Sequence, residues 1–276
     1  MGRASKDKGS LGGNPWLWDE GELPEIKPKL REKNYKTLRY PLWTQNKALL
    51  IKTYLRLFEM ITRHGTYIDG FAGPQDARYL DMWSARLVLE MTPKWFREFW
   101  LCDLSVNKIN LLKSLKSKHK SKKRRIFVLE GDFNEKVLDI LNSRRITEKT
   151  ATFALLDQRT FECHWQTVEL LSKYKNGNKI EIFYFFPTGW IDRSLAAVRA
   201  PQTREKVERW WGKAGWEELR NIDSTTRAVL VAKRFEDELN YGMAKPYPIH
   251  NSQRGGRVMY HMIHATDHAE APSLMI

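Results

Sequence analysis

The spacing of apolar positions changes period several times along this chain, and each change marks an element. Between positions 43 and 64, Leu50, Tyr54, Leu57, Phe58 and Ile61 recur at three- and four-residue steps, which predicts an amphipathic helix ended by Gly65. Positions 66–69 then read as a short strand running into a glycine-bearing loop. Further strands are predicted over 96–103, 125–130, 152–156 and 180–186, with helices over 83–91, 106–115, 135–141 and 165–175 between them. Several of these strands are apolar on both faces. Strand and helix alternating five times, with doubly apolar strands, predicts a parallel sheet covered on both sides. Positions 189–222 break the alternation with Trp190, Trp210, Trp211 and Trp216 and read as an inserted helical cap. A helix over 224–240 and two extended runs, 243–250 and 257–265, complete the pattern, and Arg254-Gly255-Gly256 signals a hairpin between the runs.

In an open parallel sheet, ligands bind beyond the carboxyl ends of the strands, where the strand order reverses. The residues there are Asp69-Gly70-Phe71-Ala72-Gly73, then Asp103, then Asp132-Phe133, then Asp157. The four acids are 34, 29 and 25 positions apart, each gap about one strand–helix–strand unit, so all four fall on one edge. The glycines let backbone approach a ligand closely. Asp103 suits two ribose hydroxyls, Asp132 an adenine amino group with Phe133 packed on the ring, and Asp157 the reacting centre. Taken singly, each acid also reads as a helix N-cap. A full G-x-G-x-x-G is absent, which disfavours a pyrophosphate cofactor and suits S-adenosylmethionine (SAM), which has no phosphate. Asp157 and Arg159 are the candidate catalytic pair, with Gln158 beside them for a base edge or a phosphate.

Charge adds a partner. Lys and Arg number 47 against 33 Asp and Glu, for a net +14, and such a field favours polyanions. The excess gathers in two runs. One is Lys27, Lys29, Arg31, Lys33, Lys36 and Arg39, in an arm over 1–42 that reads as basic and partly disordered. The other extends from Lys113 through Lys116, Lys118, Lys120, Lys122, Lys123 and Arg124 to Arg125, a candidate phosphate-tracking surface. Eleven Trp leave rings that could stack a flipped base, Trp190, Trp210 and Trp211 in the cap among them, although core filling explains most. Two cysteines, Cys102 and Cys163, imply no disulfide framework, and Cys163 lacks the Pro-Cys context of a pyrimidine-attacking thiol. His261 and His264 alternate across a strand, so one ion cannot take both, and no metal is expected. No paired-carboxylate motif supports a Mg²⁺-dependent nuclease. No stretch approaches the ~18 apolar residues of a membrane span, and the N-terminus lacks the apolar core of a signal peptide, so a cytoplasmic protein is expected.

Asp69-Gly70-Phe71-Ala72-Gly73 resembles the first SAM motif of amino-methylating DNA enzymes, Asp-Pro-Phe-x-Gly-x-Gly, with Gly70 in place of Pro and Gln75 in place of the last Gly. The fourth-strand Asp/Asn-Pro-Pro-Tyr/Phe of those enzymes is absent. A closer resemblance is to the three-Cys-motif partner family (TcmP). It is carried by the runs 67–74, 156–163, 182–185 and 259–266, and covers the chain from about Trp43 to the end. The resemblance implies a Rossmann-like class I methyltransferase fold in a bacterium: a mainly parallel seven-stranded sheet with a C-terminal β-hairpin, spanning 43–276 after the arm. It also implies a genomic partner, a three-Cys-motif protein of radical-SAM type. Two functions follow. One is a SAM-dependent methyltransferase acting on nucleic acid. The other is a methyltransferase-fold module that binds nucleic acid or nucleotide and serves that partner without methylating.

Overall fold

A computed structural model describes residues 42–252 and 255–271; the basic arm lies outside the described residues. Seven strands, β1 (Gly65–Asp69), β2 (Phe96–Asp103), β3 (Arg125–Glu130), β4 (Thr152–Leu156), β5 (Glu181–Phe186), β6 (Met243–Ser252) and β7 (Gly255–Thr266), form one sheet in the order β3-β2-β1-β4-β5-β7-β6. The first five run parallel. β7 returns antiparallel between β5 and β6, completing the hairpin that the double glycine signals. Strand order reverses between β1 and β4. This is the Rossmann-like class I methyltransferase fold, with the expected seven strands.

Among the described residues, eight helices surround the sheet: α1 (Leu42–Thr62), α2 (Ser84–Glu90), α3 (Val106–His119), α4 (Phe133–Asn142), α5 (Trp165–Lys173), α6 (Thr188–Ala197), α7 (Pro201–Trp211) and α8 (Ser224–Asp237). The apolar strands serve two cores at once, because successive side chains leave opposite faces. Tyr67, Phe99, Leu101, Phe153, Leu155 and Phe183 join Ile51, Tyr54, Leu55 and Phe58 of α1 on one side. Ile68, Trp100, Cys102, Ala154, Leu156 and Tyr184 join α4, α5 and α8 on the other.

Two elements differ from expectation. The inward face of α1 is Ile51, Tyr54, Leu55 and Phe58: Tyr54 and Phe58 are as expected, Leu50 and Leu57 are half-buried at its margin, and Ile61 is exposed. That face also carries Lys47 inward, one turn before Ile51. α3 continues past Leu115 to His119, since lysine is a good helix former. In the outermost strand, β6, Pro246 and Pro248 sit at alternate positions and pairing with β7 continues through both. Among the described residues no helix is long and apolar enough to cross a membrane.

Candidate functional site

The ends of β1 and β2 and the loop after β1 form one hydrogen-bonded unit. Asp69 is fully buried at the switch point. Its Oδ1 accepts the Phe71 N–H at 3.2 Å, and its Oδ2 accepts the hydroxyls of Tyr67 at 3.0 Å and Ser84 at 3.1 Å. The loop is drawn down onto β2: the Ala72 N–H donates to the Cys102 carbonyl, and the Gly73 N–H to Asp103 Oδ2 at 2.9 Å. Asp103 Oδ1 accepts the Ser105 N–H, and the Lys108 ammonium lies 3.8 Å from Oδ2. Gly73 is obligatory here, because a Cβ would fall 2.4 Å from Asp103 Oδ2 and from Lys108 Cδ. A Cβ on Gly70 would meet the Phe133 ring at 2.7 Å.

At the end of β3, Asp132 caps α4, its Oδ1 taking the backbone N–H of Asn134 at 2.9 Å and that residue's Nδ2 at 2.7 Å. Phe133, expected to pack on an adenine ring, is instead a core residue beneath the loop, against Gly70 and Phe71. Asn134 escaped the sequence reading. Its Oδ1 accepts the His164 N–H and the Thr167 hydroxyl while its Nδ2 donates to the Glu162 carbonyl, tying this edge to the loop after β4.

Asp157, one residue past β4, is buried and ion-paired with Lys47 at 2.8 Å. Gln75 Nε2 lies 3.3 and 3.4 Å from its two oxygens. The Lys47 ammonium also sits 4.6 Å from the centroid of the Phe185 ring. Tyr260 packs on Phe185 at 4.5 Å and stacks on Trp190 at 5.1 Å; burial, with the charge of Asp157 adding to it, pushes its hydroxyl pKa up. Lys47 was legible only as the backward extension of the α1 stripe. Arg159 is exposed, and its guanidinium has no partner among the described residues.

Two expected contacts are corrected. Gln158 is fully buried and turned inward, its Oε1 accepting the Cys163 N–H, so it does not face a substrate. Arg124 is buried as well, donating to the Leu89 carbonyl at 2.7 Å with its guanidinium over the Phe99 ring, rather than joining an exposed run. Trp210 and Trp211 are core residues of the cap, as core filling leads one to expect, and Trp190 is half-buried. The exposed Lys118, Lys120, Lys122 and Lys123 lie at the far end of α3, at the amino edge of the sheet, and the fold does not bring them to the row of acids. Both cysteines are free and buried, and burial raises the thiol pKa of each, that of Cys102 to about 12. His261 contacts Thr188 and His264 contacts Glu181, so the two serve opposite faces of β7.

Burial, and then the charge of Asp157, raise the Asp69 carboxyl to about 7. A carboxyl whose pKa is higher in the folded chain than in the unfolded one favours folding in its protonated form. Its contribution is complete below the ordinary value of 3.8 and is lost as pH rises towards 7. The loss reaches at most about 1.4 kcal/mol per pH unit. Asp69→Asn, which cannot ionise, is expected to flatten the dependence of denaturant stability on pH between those limits. An unchanged slope would mean that Asp69 is ionised throughout.

No protein-family model matches the chain, and no curated protein matches it. Among solved structures it is similar to Trm5b from Pyrococcus abyssi, at 12% identity and TM-score 0.35, over 77% of this chain and 46% of that one. It therefore spans less than half the length of that protein. It is also similar to TYW2 from M. jannaschii, solved in complex with AdoMet, at 6% identity and TM-score 0.40, over 83% and 77% of the two chains. A DUF574 family protein from Streptomyces avermitilis aligns at 12% identity and TM-score 0.50, over 83% of this chain and 86% of its own. This last likeness is one of fold, and it agrees with the class I methyltransferase topology that the strand order describes.

Proposed function

We propose that the chain is a SAM-dependent methyltransferase that acts on nucleic acid in the bacterial cytoplasm, alongside a three-Cys-motif protein of radical-SAM type. The observation that carries this reading is the row of acids at the switch point, Asp69, Asp103, Asp132 and Asp157, closed over by a loop in which Gly73 admits no side chain. The donor set fits the cofactor. Asp103 keeps lone pairs for ribose hydroxyls beside the two N–H groups it accepts, and Asp132 Oδ2 makes no hydrogen bond among the described residues, leaving it for an amino group. An acidic row also suits a cationic sulfonium. SAM supplies an electrophilic methyl group when bound. Asp157 Oδ1, whose one hydrogen bond is the long contact from Gln75, accepts the proton of the acceptor atom, with Lys47 fixing the carboxylate. Arg159 anchors a phosphate of the substrate, and Tyr260 with Trp190 walls the space. The partner protein rests on the resemblance to the three-Cys-motif partner family.

One observation favours the binding-module reading: both central carboxylates already have cationic neighbours, Lys108 for Asp103 and Lys47 for Asp157. Calorimetry with SAM on the full chain, followed by transfer of labelled methyl to bacterial RNA and DNA, separates the two. The parent is expected to bind SAM, and Asp103→Ala to bind it more weakly by about 1.5–3 kcal/mol, the worth of a hydrogen bond to a charged group. Equal affinity in the variant would remove Asp103 from the cofactor site. SAM binding without methyl transfer to any nucleic acid, even with the partner present, would leave the binding module.

A further inference from the structure

The β6–β7 hairpin runs on past the carboxyl edge of the sheet. β5 ends at Phe186, opposite His261, and β7 extends beyond it through Tyr260 to its start at Gly255. This projecting end packs against the first turn of α6, where a Cβ on Gly189 would lie 3.8 Å from Arg257 Nη2 and 3.9 Å from the Met259 carbonyl oxygen. A ladder of side chains joins the two elements to the site. The Lys47 ammonium sits 4.6 Å from the Phe185 ring, Phe185 4.5 Å from Tyr260, Tyr260 5.1 Å from Trp190, and Trp190 5.7 Å from the Arg193 guanidinium. Its inner end is the buried Lys47–Asp157 pair and its outer end is the surface. Three arginines stand round that outer end, each from a different element. Arg193 comes from α6, Arg257 from the projecting end of β7, and Arg159 from the loop after β4, where its charge reaches the Tyr260 hydroxyl. All three are exposed, and among the described residues none has an ion-pair or hydrogen-bond partner for its guanidinium. Nearby arginines are treated differently: Arg204, Arg209, Arg220, Arg227 and Arg234 are each held by a carboxylate or a backbone carbonyl. The acids next to the rim in sequence are already engaged, Asp192 by Arg227 and Glu162 by the backbone N–H of Arg159. Like charges gathered without a counter-charge raise a local field that a polyanion neutralises.

We infer that this rim is where the backbone of a single-stranded nucleic acid crosses the protein. Arg159, Arg193 and Arg257 each face a phosphate, and the aromatic ladder walls the path from the rim down to Asp157. The inference rests on the nucleic-acid reading above and adds to it the direction of approach and the form of the target. The strand comes over the cap and the hairpin, and not along the lysines of α3, which lie at the other edge of the sheet. The target is single-stranded because Asp157 is buried, 7% exposed, and a base held in a duplex stack does not reach such a depth. The rim lies at most about 15 Å from Phe185 along the ladder, and a stacked strand advances about 3.4 Å per nucleotide. The phosphates at the rim therefore belong to the roughly four nucleotides beside the one at Asp157.

The test measures binding of the full chain to fluorescently labelled single-stranded RNA and DNA of about 12 nucleotides by anisotropy, across salt from about 50 to 200 mM. Two variants are compared with the parent. Arg193→Gln combined with Arg257→Gln alters two exposed side chains that hold nothing in the fold. Lys118→Gln, Lys120→Gln and Lys122→Gln together remove as much charge and more from the end of α3. The arginine variant is expected to bind about tenfold or more weakly, with a salt slope lower by about 0.7 for each phosphate released. The lysine variant is expected to stay within about threefold of the parent, and SAM affinity to be the same in all three proteins. An arginine variant that binds as the parent does, or a lysine variant that loses as much, overturns the rim assignment alone. A blunt duplex of the same length that competes as well as the single strand overturns the single-strand assignment. No binding of RNA or DNA by the parent overturns both this inference and the nucleic-acid reading. A parent that fails to bind SAM but shows the arginine effect leaves the rim standing and removes the methyltransferase reading.

Discussion

Asp157→Asn is expected to slow methyl transfer by about a hundredfold or more, the usual worth of a positioned acid–base group. SAM affinity is expected to move by less than about threefold, or roughly 0.7 kcal/mol. Asparagine keeps the size of the side chain and one acceptor oxygen but cannot take a proton. The structure adds a complication that must be separated from chemistry. Asp157 is the ion-pair partner of Lys47, and both are buried. Removing the charge leaves an ammonium inside the protein with only an amide oxygen and the Phe185 ring. That costs stability, less than the about 3–5 kcal/mol of deleting one partner of a buried pair outright, because an acceptor remains. Adding Lys47→Met removes the stranded charge and is expected to restore the denaturation midpoint without restoring turnover. Single-turnover transfer of labelled methyl and urea denaturation, run on both variants, read the two effects apart. A double variant that regains both would make Asp157 a structural partner of α1 and nothing more.

Arg234→Ala is expected to destabilise the fold by about 2–4 kcal/mol, from the lost cation–π contact with two rings and a buried carbonyl left without its donor. Few side chains in this protein make as many kinds of contact. The guanidinium lies between two indoles, 3.8 Å from the Trp165 centroid and 4.1 Å from that of Trp211. Its Nη1 donates to the Trp211 carbonyl at 2.7 Å, while Nε and Nη2 grip the two oxygens of Glu238 at 2.8 and 2.7 Å. Burial works to raise the Glu238 carboxyl, but hydrogen bonds from Arg234 and Lys213 hold it at about 2. One side chain of α8 thus joins α5 and the end of α7. Its loss removes cation–π contact with both rings and strands a buried carbonyl. Arg234→Lys is expected to recover little, since an ammonium cannot fill a planar slot and a two-oxygen grip together. A change in unfolding free energy below about 1 kcal/mol for Arg234→Ala would show that the cap is held by its apolar contacts alone.

The parallel strands were legible because their chemistry is redundant. A strand such as 181–186, Glu-Ile-Phe-Tyr-Phe-Phe, has to satisfy two cores, and few other structures tolerate such a run. The acids were legible for the same topological reason, as each falls where a strand must end. The burial of Arg124 was not legible, because a cation at the end of a basic run gives no local sign that it turns inward over Phe99. The position of the basic run could have been read. A helix that leaves the carboxyl end of β2 must return to the amino end of β3, so residues late in α3 lie away from the acids. Lys47 was hidden by distance, 110 positions from its partner in sequence, though it shares a stripe with Ile51 and Tyr54. The tryptophans of α7 were ambiguous by count alone. Val207, Trp210 and Trp211 at three- and four-residue steps describe a core face, which is where the structure holds them.

The outermost strand limits how this protein can assemble. Two backbone nitrogens of β6, at Pro246 and Pro248, carry no hydrogen, and because pairing to β7 runs on through both positions, the missing donors face outward. A second copy therefore finds a ladder broken at two positions on that side, which disfavours extending the sheet across it. Among the described residues β3 is the other edge of the sheet, and a companion strand would pair there without that obstacle.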